Sequence, residues 1–368
     1  MRAVILADEF FATRERPLLQ RLEIGLADEG VRVVHAVPES VMPTEGESMF
    51  RTCVGYPART LSILRSASAA RVARLLEQAA GADEERIDVL HVFGGSAWTL
   101  ATEIADELGC ALVLEVWRSG LVDRARELAP RAWRTALQAP DPAIERVLRA
   151  SIEGREIRAA PWGVLAEPTL RQVFPEGRAV SAMIVGSGRD ASAMAAIIEG
   201  LQPVAAAHPD LLVFCDADTA RRAGLWGVAR RLRLDHHLSL IADLEGRRDL
   251  LLQGDLLIQP DAHGESRSVV LEAMASGMIV VAAADPMASV LIDGRTARLV
   301  RAQHPAEWSA TLLDILRTPE RSRMLAASAH EFIRTHRRAS DHVRAVLQTY
   351  AALVPENANR GGFPRDIT

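Results

Sequence analysis

"HGESRSVVLEAMASGMIVVA", residues 263–282, decides the fold. Leu271–Ala275 favours a helix, Gly277 suits its C-terminal cap, and Met278–Ala284 predicts a fully buried strand. The beginning of the segment is different, because the run from Glu265 to Ser268 carries polar and charged side chains. A packed helix gains nothing from such a beginning. We therefore expect this polar beginning to face a site.

The composition limits the classes of protein that fit. The chain has 368 residues, 49% of them hydrophobic and 25% charged, which suits two soluble globular domains. A net charge of −5 argues against a nucleic-acid binder. The three cysteines are scattered without CxxC spacing, so neither a disulfide framework nor a metal site is predicted. A cytoplasmic location fits this usage.

No segment has the pattern of a membrane anchor. "MRAVILADEFF" (1–11) reads as a strand that runs into polar residues, rather than as a signal peptide. The longest apolar run, Met278–Ala284, is far too short to cross a bilayer. Contact with a membrane is therefore expected to be peripheral at most.

Short apolar runs alternate with amphipathic helical patterns along the chain, which predicts βαβ units and parallel sheets. Strands are predicted at 2–7, 31–37, 87–93, 110–116, 182–186, 210–216, 237–242, 255–260 and 296–302. Helices are predicted at 17–30, 67–80, 96–109 (with Ser96 as N-cap), 190–201, 219–232, 305–317 and 320–352. This alternation of strand and helix patterns is interrupted at Pro168, Pro175 and Gly177. The predicted organisation is therefore a first domain at 1–165, a linker at 166–181, a second domain at 182–340, a return helix at 341–354 and a polar tail at 355–368.

Residues 255–300, "DLLIQPDAHGESRSVVLEAMASGMIVVAAADPMASVLIDGRTARLV", resemble the donor-binding region of family 4 retaining glycosyltransferases of the GT-B fold. The family's pattern there is E-G-F-G-x-x-x-L-E-A-M-A-x-G-x-P-V-V-A, followed by D-G-x-x-G-x-L-V. "APWGV" (160–164) is similar to the family's I-P-N-G-V. The resemblance implies an α/β protein with two Rossmann-like, doubly wound domains that face each other across a cleft.

The resemblance also implies a function. Such an enzyme moves a sugar from a nucleotide sugar to an acceptor (a glycan, a lipid or a small molecule) with retention of configuration. It needs no cofactor and no metal ion.

The same resemblance assigns site residues around the opening segment. Glu272, within "LEAM", inherits the hydrogen bond to the nucleotide ribose. Ser266, Arg267 and Ser268 lie in the loop that faces the sugar and the diphosphate, where amides at a helix N-terminus attract anions. Glu265 stands one residue from the family's other Glu and is the candidate contact to the reacting sugar.

Several positions depart from the family's pattern. Ser187 and Ser192 replace the Arg and Lys that clamp the diphosphate. We therefore expect Arg189 and the amides of the loop at Gly186 and Gly188 to bind the anion instead. In the first domain, His91 matches the first His of the family's H-x-H and is the second candidate catalytic residue.

Two other interpretations remain open. "GSGRDA" (186–191) fits a dinucleotide-binding fingerprint, with Asp216 as the ribose contact of an NAD-binding protein. The departures also suit a non-catalytic relative, a pseudoenzyme that serves as a binding or scaffold protein. A catalytic protein should present Arg14, Arg189 and Arg267 to one open cavity, whereas in a non-catalytic one Phe93 and Trp117 should fill that cavity.

Overall fold

The computed structural model describes residues 1–42, 52–58, 62–81, 86–128 and 134–354. Within them the chain forms two separate sheets, each with all its strands parallel and with helices packed around it. The predicted α/β class with two doubly wound sheets is therefore confirmed. The polar tail predicted at 355–368 lies outside the described residues.

The first sheet has seven strands in the order β3-β2-β1-β4-β5-β6-β7. Its two central strands are buried along their whole length, because both faces are covered by helices. The order of the strands reverses between β1 and β4, and ligands of such sheets bind at the carboxyl ends beside that reversal. The strands are β1 (Arg2–Ala7), β2 (Arg32–Pro38), β3 (Cys53–Tyr56), β4 (Val89–Phe93), β5 (Ala111–Glu115), β6 (Thr135–Ala139) and β7 (Glu156–Ala159).

The second sheet has six strands in the order β10-β9-β8-β11-β12-β13. Its reversal lies between β8 and β11, so the loops after these two strands stand at the expected ligand position. These are the loops at 185–190 and 260–267. The strands are β8 (Ser181–Ile184), β9 (Leu212–Asp216), β10 (Leu238–Ile241), β11 (Leu256–Gln259), β12 (Ile279–Ala283) and β13 (Arg298–Val300).

Helices cover both sheets. In the first domain they are α1 (Glu9–Thr13), α2 (Arg16–Asp28), α3 (Arg65–Ala80), α4 (Trp98–Leu108), α5 (Val122–Glu127) and α6 (Pro142–Ser151). The later helices are α7 (Ala191–Ala207), α8 (Ala217–Ala223), α9 (Leu225–Arg231), α10 (Arg248–Leu251), α11 (Ser268–Ala275), α12 (Pro305–Arg317), α13 (Pro319–His336) and α14 (Ala339–Leu353). No helix among the described residues combines the length and the apolar character needed to cross a membrane.

The chain crosses between the domains at two neighbouring places. The Val164 amide donates to the Arg337 carbonyl at 2.8 Å, and the Ala339 amide donates back to Val164 at 3.1 Å. After this crossing α14 packs against α2, and the Tyr350 hydroxyl lies 2.9 Å from Nδ1 of His91. The last helix is therefore part of the first domain's core.

Three local predictions are wrong. The helix predicted at 219–232 is two helices, because Gly224 adopts a left-handed conformation between α8 and α9. The helix predicted at 320–352 is interrupted at Arg337 and Arg338, where the chain crosses between domains. Ser96 is not an N-cap, because its hydroxyl donates to Asp8 and α4 begins two residues later.

Candidate active site

An open cleft of about 600 Å³ lies between the two domains, where the carboxyl ends of both sheets meet. A volume of this size suits a ligand the size of a nucleotide sugar. The loops after β1, β4 and β5 line one wall, and the loops after β8, β9, β10 and β11 line the other. The lining residues are Asp8, Glu9, Phe10, Thr13, Arg14, Gly95, Ser96, Trp117, Arg118, Ser187, Arg189, Asp216, Asp218, Arg222, Asp243 and Glu265.

Glu265 lines the cleft between two arginines. An oxygen of its carboxylate is 3.7 Å from Arg118 of the first domain and 4.0 Å from Arg189 of the second. Burial raises the pKa of Glu265, against the opposing effect of Arg267 and Arg118. The two arginines remain 31% and 58% exposed in their side chains, so both cations can still reach a ligand.

Two backbone hydrogen bonds join the domains beside Glu265. The Ser119 amide donates to the Gly264 carbonyl at 2.9 Å, and the Ser266 amide donates to the Trp117 carbonyl at 2.8 Å. Gly264 has a φ of +64°, and a Cβ there would lie 2.2 Å from Oγ of Ser119. The left-handed backbone and the close approach both favour glycine here. Trp117 lines the cleft and stacks on Phe10 at 4.8 Å, but it does not fill the cleft.

Three amides in the loops expected to bind phosphate already have partners. Gly186 donates to Oε1 of Glu245 at 3.1 Å, and Ser187 donates to Oδ2 of Asp261 at 2.8 Å. In the second loop, the Gly264 amide donates to a carboxylate of the same domain, that of Asp285, at 2.8 Å. In each case a carboxylate of the protein takes the position that an external anion would use.

Below the cleft is a buried interdomain ionic cluster. Its seven pairs join Arg14 to Asp216 (3.1 Å) and Glu245 (3.0 Å), Arg267 to Glu15 (3.1 Å) and Glu245, Arg248 to Glu15 (3.8 Å), and Glu272 to Arg248 (2.6 Å) and Arg21 (2.6 Å). Buried carboxylates of this kind persist as ions only beside cations. Burial would raise the pKa of Glu245, but Arg267, Arg14 and Arg248 outweigh it and lower that pKa. In the same way Arg248 and Arg21 lower the pKa of Glu272.

The donor-loop residues belong to this cluster rather than to the open cleft. Arg267 is 5% exposed, does not line the cleft, and has its pKa raised by Glu245 and Glu15 against the effect of burial. Ser268 begins α11, and both its amide and its hydroxyl donate to Glu15. The Ser266 hydroxyl has no hydrogen-bond partner in the described part of the chain and lines a narrower cavity beneath the cleft. Glu265 lines both the open cleft and the narrower cavity, whereas Ser266 and Arg267 line only the narrower one and Arg189 only the cleft.

Glu272 lies at the domain interface with 6% of its surface exposed. Its carboxylate does not line the open cleft, because Arg248 of its own domain and Arg21 of the first domain hold it. Arg21 would have to move before a ribose could reach this carboxylate. The ribose contact therefore stays a prediction.

His91 lies in a fully buried network under the first sheet's carboxyl edge. Its Nδ1 is 2.9 Å from the Tyr350 hydroxyl and its Nε2 is 3.3 Å from Glu115. The Glu115 carboxylate also accepts from Gln138 at 2.9 Å and Trp162 at 2.7 Å. His91 does not line the cleft, so this geometry gives it no route to a substrate, and its catalytic role stays untested.

Both carboxylate oxygens of Asp216, the ribose contact of the NAD interpretation, already accept hydrogen bonds within the protein. Its Oδ1 accepts from the amides of Asp218 and Thr219, in the first turn of α8, and from Arg14. Its Oδ2 accepts from the Leu244 amide at 3.1 Å. Among the described residues, no group of His, Cys, Asp and Glu could hold a metal ion.

Sequence reasoning missed half of the ionic cluster. Glu15, Arg21, Glu245 and Arg248 were not predicted. Arg21 lies within α2, whereas the other three follow the end of a strand or a short helix at the carboxyl edge of their sheets. The charge-rich stretches "TRER" (13–16) and "EGRRD" (245–249) were the available signal. They meet only because the two domains face each other.

Residues 179–318 match the family model described as "Glycosyl transferases group 1". Sucrose-phosphate synthase (tll1590) from Thermosynechococcus elongatus aligns over 96% of this chain and 99% of its own, at 14% identity and a TM-score of 0.73. Anabaena Alr3699/HepE, solved in complex with UDP-glucose, aligns over 96% and 100% of the two chains, at 14% identity and a TM-score of 0.72. No curated protein sequence matches the chain.

A putative UDP-N-acetylglucosamine 2-epimerase from Listeria monocytogenes also aligns over 100% of both chains, at 13% identity and a TM-score of 0.58. Identities this low show a shared fold, and function has to be argued from the site. The chain has the GT-B fold of the glycosyltransferases, and its second domain carries the group 1 glycosyl transferase pattern.

Proposed function

We propose that the open cleft binds a nucleotide sugar and transfers its sugar, with retention, to an acceptor hydroxyl. The observation that carries this proposal is the arrangement in which Arg118 and Arg189 flank Glu265 beside about 600 Å³ of open space. Cations so placed stabilise the charge that develops on a leaving diphosphate. Arg222, which also lines the cleft, is a third cation for this role.

In the proposed reaction the bond between the sugar's C1 and the phosphate oxygen breaks, and its electron pair leaves with the diphosphate. The acceptor oxygen bonds to C1 on the face that the diphosphate leaves. This places the acceptor hydroxyl beside the leaving oxygen, which takes its proton. Glu265 is proposed to accept a hydrogen bond from the donor sugar and so to orient C1. No cofactor takes part in this scheme.

The alternative is a non-catalytic protein that binds a ligand in the same cleft. The observation in its favour is that the amides of Gly186, Ser187 and Gly264 are each bonded to an internal carboxylate. If these amides stay occupied, fewer donors remain to stabilise a leaving group. Fewer donors lower the expected rate, and the cleft would then serve recognition alone.

The test is nucleotide release from a panel of UDP-, GDP- and ADP-sugars, measured for the wild type, Arg189→Ala and Arg231→Ala. Arg231 is an exposed arginine outside the cleft and serves as the matched control. Loss of one charge-stabilising group should lower the rate by about 10²–10³ in Arg189→Ala and leave Arg231→Ala unchanged. Arg189→Ala should also bind the nucleoside diphosphate more weakly while binding of the nucleoside is spared.

The anomeric configuration of the product, read from the coupling constant of its anomeric proton, tests retention. Binding of a nucleotide sugar by the wild type without any release of nucleotide would favour the non-catalytic alternative. Absence of both binding and release would contradict the proposal.

A further inference from the structure

The segment that joins α1 to α2 inserts charged side chains into the second domain. Arg14 donates to the Gly186 carbonyl at 3.0 Å as well as pairing with Asp216 and Glu245. Glu15 is fully buried and accepts from the amide that begins α11. These two side chains and Arg21, which lies one turn into α2, are called the clasp below.

The charges around the clasp balance. The ionic cluster holds four arginines (Arg14, Arg21, Arg248 and Arg267) and four carboxylates (Glu15, Asp216, Glu245 and Glu272). The closed cluster therefore has no surplus positive charge for a diphosphate. An added phosphate would face buried carboxylates, unless one of those carboxylates withdraws.

The clasp also holds groups on α11 that suit a nucleotide. Glu15 accepts hydrogen bonds from the Ser268 amide and hydroxyl, which could otherwise donate to an anion. Arg21 lies 2.6 Å from Oε1 of Glu272, an acceptor that could otherwise receive a hydroxyl group of a sugar. The clasp and a bound nucleotide therefore cannot use these groups at the same time.

We propose that the clasp holds the two domains closed and that a nucleotide reaches α11 only after the clasp releases. The first half stands on the contacts alone, and the second half rests on the proposed function. Release separates Glu15 from Arg267 and Arg21 from Glu272. The freed amide, cation and carboxylate then become available to the nucleotide.

The populations of the open and closed forms set the direction in which nucleotide affinity should change. When only the open form binds, the apparent dissociation constant equals the intrinsic one divided by the open fraction. Removing one partner of a buried pair leaves the other charge unpaired in the closed form, so the open fraction rises. A weakened clasp should therefore tighten nucleotide binding, whereas loss of an ordinary contact residue weakens it.

The experiment compares the wild-type chain with Glu15→Gln and Arg21→Met, which remove one charge each with little change in volume. Glu29→Gln, an exposed position at the far end of α2, is the matched control. Small-angle X-ray scattering without ligand measures the radius of gyration. Calorimetry with UDP, GDP and ADP in turn measures affinity, and circular dichroism checks that each variant is folded.

Both clasp variants should show a larger radius of gyration than the wild type and bind their preferred diphosphate at least about tenfold more tightly. Glu29→Gln should match the wild type in radius of gyration and in affinity for the diphosphate. An unchanged radius of gyration in the folded variants overturns the proposal, and so does expansion without tighter binding. If one variant fails to fold, the other carries the test, since the two charges contact different partners.

Failure of the proposed function has a different signature. A wild type that releases nucleotide from a nucleotide sugar, with clasp variants that neither expand nor bind more tightly, rejects the clasp and keeps the transferase. Clasp variants that expand and bind a diphosphate more tightly, with no release from any nucleotide sugar, keep the clasp and reject the transferase.

Discussion

The open cleft and the ionic cluster beneath it use the same kinds of side chain in opposite ways. In the cleft, Arg118 and Arg189 stand 3.7 and 4.0 Å from Glu265 and remain open to solvent. In the cluster, Arg267 is 3.1 Å from Glu15 and buried. Both regions draw on the loop after β11. The comparison teaches that burial and charge balance, rather than the presence of arginine, decide which cations can serve a ligand.

The largest expected difference is in stability. Arg267→Ala would leave Glu15 and Glu245 without their shared cation in a buried position. Breaking a buried pair in this way costs about 3–5 kcal/mol in the free energy of unfolding. Arg189→Ala should change it by no more than about 0.5 kcal/mol, because Arg189 is exposed. Urea unfolding of both variants measures the difference, and equal losses would remove the distinction between the two regions.

Lowering the pH should change the stability contributions of the two regions in opposite directions. The pKa of Glu272 is lowered in the folded protein, so its contribution to stability is fully present above the ordinary value of 4.5 and is lost as the pH falls below it. The pKa of Glu265 is raised, so the folded state takes up its proton first and gains stability as the pH falls.

Unfolding free energies measured between pH 7 and pH 3 test this contrast. Relative to the wild type, Glu272→Gln should lose stability less steeply on acidification and Glu265→Gln more steeply. Slopes that change in the same direction in both variants would contradict the assignment of the two carboxylates to different environments.

A smaller effect is expected at the rim of the cleft. Asp190 caps α7, because its Oδ1 accepts from the Ala193 amide at 2.9 Å. The Ser192 hydroxyl and then this amide lower the pKa of Asp190. Loss of an N-cap costs about 1 kcal/mol. Asp190→Ala should therefore lower the free energy of unfolding by about that amount, while Asp190→Asn should largely preserve it. A loss in the free energy of unfolding as large as that of Arg267→Ala would mean that Asp190 stabilises the fold as strongly as the buried ionic cluster does.

Much of the architecture follows from local sequence pattern. Apolar runs and Gly caps predict the central strands, and the family's motif predicts that the loops after β8 and β11 lie at the site. The edge strands β3 and β7 and the neighbouring strand β6 were missed, because each is only four or five residues long and its apolar character is weak. Short edge strands depend on tertiary pairing more than on local preference.

The site was predicted less completely, for a different physical reason. Glu265 and Arg189 line the cleft as expected, since the loops that carry them end at the sheet's reversal. The buried partners of Glu272 and Arg267 could not be predicted. Arg21 and Glu15 belong to the other domain, and their pairing depends on how the two domains meet, which no local pattern encodes.

The comparison is tested most directly by the affinity of one nucleoside diphosphate for two variants, one from each region. Arg189→Ala removes a cation that faces the cleft, and Glu15→Gln removes a carboxylate that closes it. Calorimetry should show weaker binding than the wild type for Arg189→Ala and tighter binding for Glu15→Gln, each by about tenfold or more. Weaker binding by both variants, or no change in either, would contradict the account.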